Sequence, residues 1–98
     1  MDRLFPVLVR GPSMVPALRD GDALLVRRTG RVRPGDVVVA RFTGVPGLSV
    51  KRAVRPVEGG WWVEGDNPYG STDSRELGPA APVGRVVLRW WPRLSRVR

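Results

Sequence analysis

Apolar positions in this chain come in short runs, none longer than a few residues, separated by clusters of Gly, Pro and Asp. The opening segment, residues 1–9, reads as a first strand whose apolar run starts at Leu4 and which gives out at Arg10; Pro6 marks it as an edge or as starting late. After the Gly11-Pro12 break and Ser13, the stretch Pro16 to Asp22 reads as a turn region on the Asp20-Gly21-Asp22 signal. Ala23 to Arg28 is the next strand. Pro34-Gly35-Asp36 turns the chain into Val37 to Phe42, where three consecutive valines favour a strand over a helix. Leu48 to Val57 reads as a strand that gives out near Pro56. Glu58-Gly59-Gly60 is a hairpin turn, and Trp61 to Glu64 returns. Gly65 to Ala81 is a long Gly/Pro/Asp/Ser loop, a length that in a small domain marks function or disorder. Val83 to Trp91 is the last strand, and residues 93–98 are expected to fray as a disordered tail.

No segment holds a 3.6-residue apolar period over three turns. Short strands at frequent turn signals predict an all-β fold, a small barrel or packed antiparallel sheets. At 98 residues the chain has apolar surface for one core and therefore one domain, 1–98. No run approaches the ~20 apolar residues that span a bilayer, so no membrane anchor is expected. The Trp90-Trp91 pair among arginines leaves room for a weak peripheral membrane contact.

Composition narrows the chemistry. With no cysteine and no histidine, thiolate nucleophiles, disulfides, the common zinc sites and the Ser-His-Asp triad are all excluded. Neither a metal nor another cofactor is expected. The net charge of +8 comes from scattered arginines, which reads as a solvated surface more readily than as a nucleic-acid footprint. Sixteen of the 17 basic residues are arginine, and Lys51 is the single lysine. Arginine stays protonated, whereas a buried lysine can lose its charge and act as a base. A serine hydroxyl needs such a base within hydrogen-bond reach to become a nucleophile. Lys51 sits among Leu48, Val50, Ala53 and Val54, and strand alternation puts it on the face of Ser49 and Ala53, opposite Val50 and Arg52. Which face points inward is not decided by the sequence.

Four stretches in order resemble the signal peptidase I superfamily of Ser-Lys peptidases. They are Ser13-Met14-Val15-Pro16 with Gly21 to Val26, then Arg33 to Val39, Val50 to Val54, and Gly65-Asp66-Asn67-Pro68-Tyr69-Gly70-Ser71-Thr72-Asp73-Ser74-Arg75. The resemblance covers roughly residues 10 to 92 and implies that superfamily's catalytic-domain fold. The second, inserted β region has no room, because 13 residues separate Lys51 from Gly65. The resemblance implies Ser13 as nucleophile, with its own amide N–H as oxyanion donor, and Lys51 as general base. It implies Ser71 as the residue that orients the lysine, Asp73 and Arg75 as a supporting ion pair, and Gly65 as a close-approach position. Gly11, Pro12 and Met14 would help shape the substrate cleft. Where some members carry a second oxyanion serine, this chain has Gly11.

Among short members, the chain is most similar to the nickel-type superoxide dismutase maturation proteases. That similarity implies a cytoplasmic serine endopeptidase removing a short N-terminal leader from a precursor protein, with nickel superoxide dismutase as the precursor. Three other readings stand beside it. A self-cleaving domain of the SOS-repressor type is disfavoured because only twelve residues precede Ser13. A basic β-barrel that binds nucleic acid through Arg and Trp leaves the lone lysine and the residue 65–75 loop unexplained. An inactive relative kept as an interaction module does not account for an intact serine and lysine.

Overall fold

The computed structural model describes residues 3–97 of the chain. Its strands are β1 (Leu4–Leu8), β2 (Ala23–Arg28), β3 (Val37–Phe42), β4 (Ser49–Val57), β5 (Gly60–Glu64), β6 (Ala80–Trp91) and β7 (Ser95–Arg96), with one short helix α1 (Ser74–Leu77) between β5 and β6. The fold is all-β, as the turn spacing predicts. The strands form one antiparallel sheet in the order β1-β2-β6-β3-β4-β5. β5 comes back onto β6 through Trp61 opposite Ala80, which curls the second half of the sheet into a small barrel-like unit.

The three valines at the start of β3 explain how one sheet serves two cores. Side chains alternate across a strand. Val37 and Val39 therefore join Val9, Met14, Leu18, Leu24, Val26 and Val86 on one side. Val38, Ala40 and Phe42 join Ala53, Val63 and Ala80 on the other. A strand buried on both faces reads as a continuous apolar run rather than an alternating one. Gly60 lets β5 close on β6: a Cβ there would collide with the Ala80 carbonyl oxygen.

Three boundaries differ from the sequence reading. β4 runs through Pro56 to Val57, and its hairpin partner is Trp61 on β5. β6 begins at Ala80, three residues early, where it takes up pairing with Phe42. Past Pro92, where fraying was expected, Ser95 and Arg96 pair with Arg89 and Leu88. Residues 1, 2 and 98, part of the expected first strand and tail, lie outside the described residues. Among the described residues no helix is long and apolar enough to cross a membrane.

Candidate active site

Ser13 sits on the turn that leaves the first strand. The Val15 N–H donates to the Pro12 carbonyl (3.1 Å) and the Leu18 N–H to the Met14 carbonyl (2.9 Å), so the segment folds as consecutive tight turns. Met14 and Leu18 anchor it in the first core at 0% and 1% exposure, leaving Ser13 half-buried at the surface of that core. Lys51 lies in β4 opposite Val38 of β3. Its face is the inward one: Lys51 is 6% exposed and Ala53, two residues on, 1% exposed.

Ser13 and Lys51 line the same cavity, about 140 Å³, together with Val7, Leu8, Val9, Arg10, Leu48, Ser49 and Val50. Residues 38 positions apart are thus brought to one pocket between the end of β1 and the start of β4. Burial pushes the Lys51 amine below its ordinary value of 10.5, and the Asp73 charge pulls it partly back.

The long loop after β5 supports both walls. Its buried hub is Asp73, 1% exposed, whose carboxylate accepts from the Gly65 N–H (2.8 Å), the Ser71 hydroxyl (2.7 Å), and the Arg75 amide, Nε and guanidinium nitrogen (3.2, 3.0 and 2.7 Å). Burial would push this carboxyl up. The bonds from Arg75, Gly65 and Ser71 outweigh it and hold Asp73 well below the usual carboxylate range. Asp73 also caps α1, and Ser74 Oγ accepts from the Val63 N–H (2.8 Å), fixing the loop to β5.

The ion pair expected between Asp73 and Arg75 is present. Gly65 is a close-approach position: a Cβ there would fall 2.6 Å from the Ser13 carbonyl oxygen and nearer still to the Ser71 hydroxyl oxygen. Ser71 lies beside Gly65 and Ser13, and its hydroxyl donates to Asp73, which leaves the Ser71 oxygen's lone pairs for a donor such as an amine. Asp73 is the group that fixes Ser71, and its charge is felt at Lys51.

Met14 also needs correction. It is fully buried beneath the pocket and does not shape a cleft, because the turn at residues 12–15 points it into the core. Gly11 and Pro12 do not line the cavity either. The Gly11 N–H donates to Asp20 (2.7 Å), so it is committed to holding the turn.

Two contributors were not singled out beforehand. The Asn67 N–H donates to the Ser13 carbonyl (2.8 Å) and its side-chain amide to the Pro12 carbonyl (3.0 Å), pinning the serine turn to the loop. Arg52, next to the lysine, grips Asp66 with both ends of its guanidinium (3.2 and 2.6 Å). The signal was available: Asn67 is the only asparagine in the chain.

A half-buried serine and a desolvated lysine in one small pocket of an all-β domain are the side-chain types from which a hydrolase site can be built. The comparisons give its family. The chain belongs to the Peptidase S24-like family, whose model matches residues 1–87, and it is a peptidase of the signal peptidase I-like superfamily. It is 33% identical to mitochondrial inner membrane protease subunit 1 of Xenopus tropicalis, over 88% of this chain and 68% of the relative. It is also 33% identical to mitochondrial ATP-independent inner membrane protease subunit 1a of Arabidopsis thaliana, over 86% and 68%. The human mitochondrial inner membrane protease subunit 1 is 28% identical over 88% and 69%.

Proposed function

We propose that this chain is a serine endopeptidase that removes a short N-terminal leader from a precursor protein by a Ser13-Lys51 dyad. The observation that carries the proposal is the shared pocket, where the only lysine is desolvated beside a serine. The neutral Lys51 amine takes the Ser13 proton as Oγ attacks the scissile carbonyl. The tetrahedral oxyanion accepts from the Ser13 N–H. Lys51 then gives the proton to the leaving amine, and water resolves the acyl-enzyme with Lys51 again as base.

The substrate has a place to lie. Among the described residues β1 pairs with β2 alone, and β4 pairs with β5 from Arg52 onward, which leaves edges at β1 and at residues 49–51 for an extended peptide. Strand addition on such an edge supplies main-chain hydrogen bonds, and the pocket supplies side-chain selection. A cavity of about 140 Å³ walled by Val7, Leu8, Val9 and Val50 suits small residues at the scissile position. Relatives that are protease subunits support the peptidase chemistry. The precursor of nickel superoxide dismutase is the substrate that the sequence resemblance offers for a first trial.

The test is incubation of purified protein with that precursor and with a mixture of leader peptides bearing small residues, with products identified by mass. Cleavage after a small residue, abolished in Ser13→Ala, is expected. Cleavage that survives in Ser13→Ala would refute the proposal.

A further inference from the structure

Beside the catalytic cavity the sheet carries an apolar groove of about 550 Å³, lined by Pro6, Val7 and Leu8 of β1, Ala23 of β2, and Trp90 and Trp91 of β6. Val7 and Leu8 line both this groove and the cavity that holds Ser13 and Lys51, so the two spaces meet along one strand. The register accounts for the groove's shape. Leu8 stands opposite Ala23, and Ala23 opposite Trp91, so the three lie in a row on one face across three strands. Ala23, 8% exposed, is the low floor between larger side chains at Leu8 and Trp91. Neighbouring residues of a strand ordinarily point to opposite faces. Trp90 nevertheless lines the same groove as Trp91, because β6 has an extra residue here. Arg89 pairs with Leu24 and Trp91 with the adjacent Ala23, which leaves Trp90 as a bulge, a device that re-aims a side chain.

The bulge is held in place from both ends. Arg89, just before it, donates to Asp22 Oδ2 through Nη1 (3.2 Å) and to the Arg93 carbonyl through Nε (3.2 Å). Beyond it, Ser95 and Arg96 pair back onto Arg89 and Leu88. Trp90 and Trp91 are thereby fixed with 49% and 60% of their surface exposed, facing Leu8 at 47%. None of the six lining side chains is charged. Apolar surface held open to water is unfavourable, and a concave stretch of it in the size range of ligand clefts marks a binding site.

We propose that this groove takes one bulky apolar side chain of the leader, leucine- or phenylalanine-sized, a few residues before the scissile bond. The inference rests on the peptidase reading of Ser13 and Lys51. An extended peptide on the open edge of β1 advances about 3.3 Å per residue. A leader whose scissile residue occupies the small cavity therefore passes Leu8 and Pro6 within its preceding few residues. Continuity is what names the occupant: two residues shared by cavity and groove set any peptide that fills the first on the rim of the second. A flat bilayer or a second sheet face would cover the rims of a concavity between β1 and β6, whereas a single side chain fills it. The substrate would then be recognised at two points, a small residue at the bond and a large apolar one upstream of it.

A series of short fluorescein-labelled peptides tests it, with alanine at the scissile position, serine and glycine elsewhere, and a single phenylalanine moved stepwise along the leader side and the mature side. Binding is read by fluorescence anisotropy in the Ser13→Ala background, where nothing is turned over, and kcat/KM by mass on the wild-type chain. One leader-side position should lower Kd at least roughly tenfold relative to the peptide without phenylalanine, and raise kcat/KM with it. Trp91→Ser, at a 60% exposed position, should shrink that gain to within about twofold, whereas Leu94→Ser, 75% exposed and outside the groove, should preserve it. Position-specific binding without any cleavage by the wild-type chain would refute the dyad and uphold the groove. Cleavage indifferent to where the phenylalanine stands would uphold the dyad and overturn the groove. A best position on the mature side would also overturn it. So would peptide affinities independent of Trp91 alongside Trp91-dependent self-association in sedimentation, or Trp91-dependent binding to phosphatidylcholine–phosphatidylglycerol vesicles.

Discussion

Lys51 is held against its own preference. A lysine whose folded pKa lies below 10.5 binds fewer protons folded than unfolded across the interval between the two values. Stability therefore rises with pH through that interval, and at neutral pH the buried amine costs stability. Lys51→Met keeps the apolar stem and removes the amine. It should raise the melting temperature at pH 7 while abolishing peptide cleavage, a trade-off common at active sites. Thermal melts of both proteins at pH 7 and pH 10 check this, because the gap between them should narrow at the higher pH. Gly65 is the other residue on which the site turns. Gly65→Ala drives a methyl into the Ser13 carbonyl and the Ser71 side chain, and should cost about 1–3 kcal/mol of stability and at least roughly 100-fold in cleavage rate. Denaturant titration and initial rates measure the two effects.

At the scale of elements, the loop from Gly65 to Arg75 acts as a brace between the serine turn and the lysine strand. Asn67 holds the first through backbone carbonyls, and the Arg52–Asp66 fork holds the second. Both partners of that fork are 22% exposed, and Arg52→Met should destabilise the fold by about 1–2 kcal/mol and lower kcat more than it raises KM. Arg75 has a subtler part. It pairs with the Asp73 carboxylate, so Arg75→Gln leaves more of the Asp73 charge to act on Lys51. The lysine pKa should then rise, and the limb on which activity climbs with pH should move to higher pH.

Strand positions were legible in the sequence because Gly, Pro and Asp clusters bracket nearly every one; β2 and β3 span the residues read as strands, Ala23–Arg28 and Val37–Phe42. The start of β6 was hidden by Ala80-Ala81-Pro82, whose strand conformation comes from tertiary pairing with Phe42, not from local preference. Ser13, Lys51, Asp73 and Arg75 could be picked out by type and order. The orientation of Met14 could not: a methionine beside a surface turn reads as cleft or core alike, and only packing against Val9 and Leu24 decides it.

For the whole molecule, the buried carboxylate that organises the loop sets a limit on acid stability. Asp73 has a folded pKa well below its ordinary 3.8, so its contribution is fully present above 3.8 and is lost as pH falls toward the folded value. A melting curve series from pH 6 downward should show a decline that Asp73→Asn lacks, since that variant begins destabilised at every pH. Two cores on opposite faces of one curled sheet explain how so short a chain carries a cleft: each core supports one partner, with Met14 beneath Ser13 in the first and Ala53 beside Lys51 in the second.

The dyad is tested most directly by the pH dependence of kcat/KM for leader cleavage in the wild-type chain and in Lys51→Arg. With Lys51 as the base, wild-type activity climbs with pH along a limb whose midpoint lies below the ordinary lysine value of 10.5, and Lys51→Arg is inactive throughout because arginine stays charged. Wild-type-like rates from Lys51→Arg, or a wild-type profile that only falls as pH rises, would contradict it.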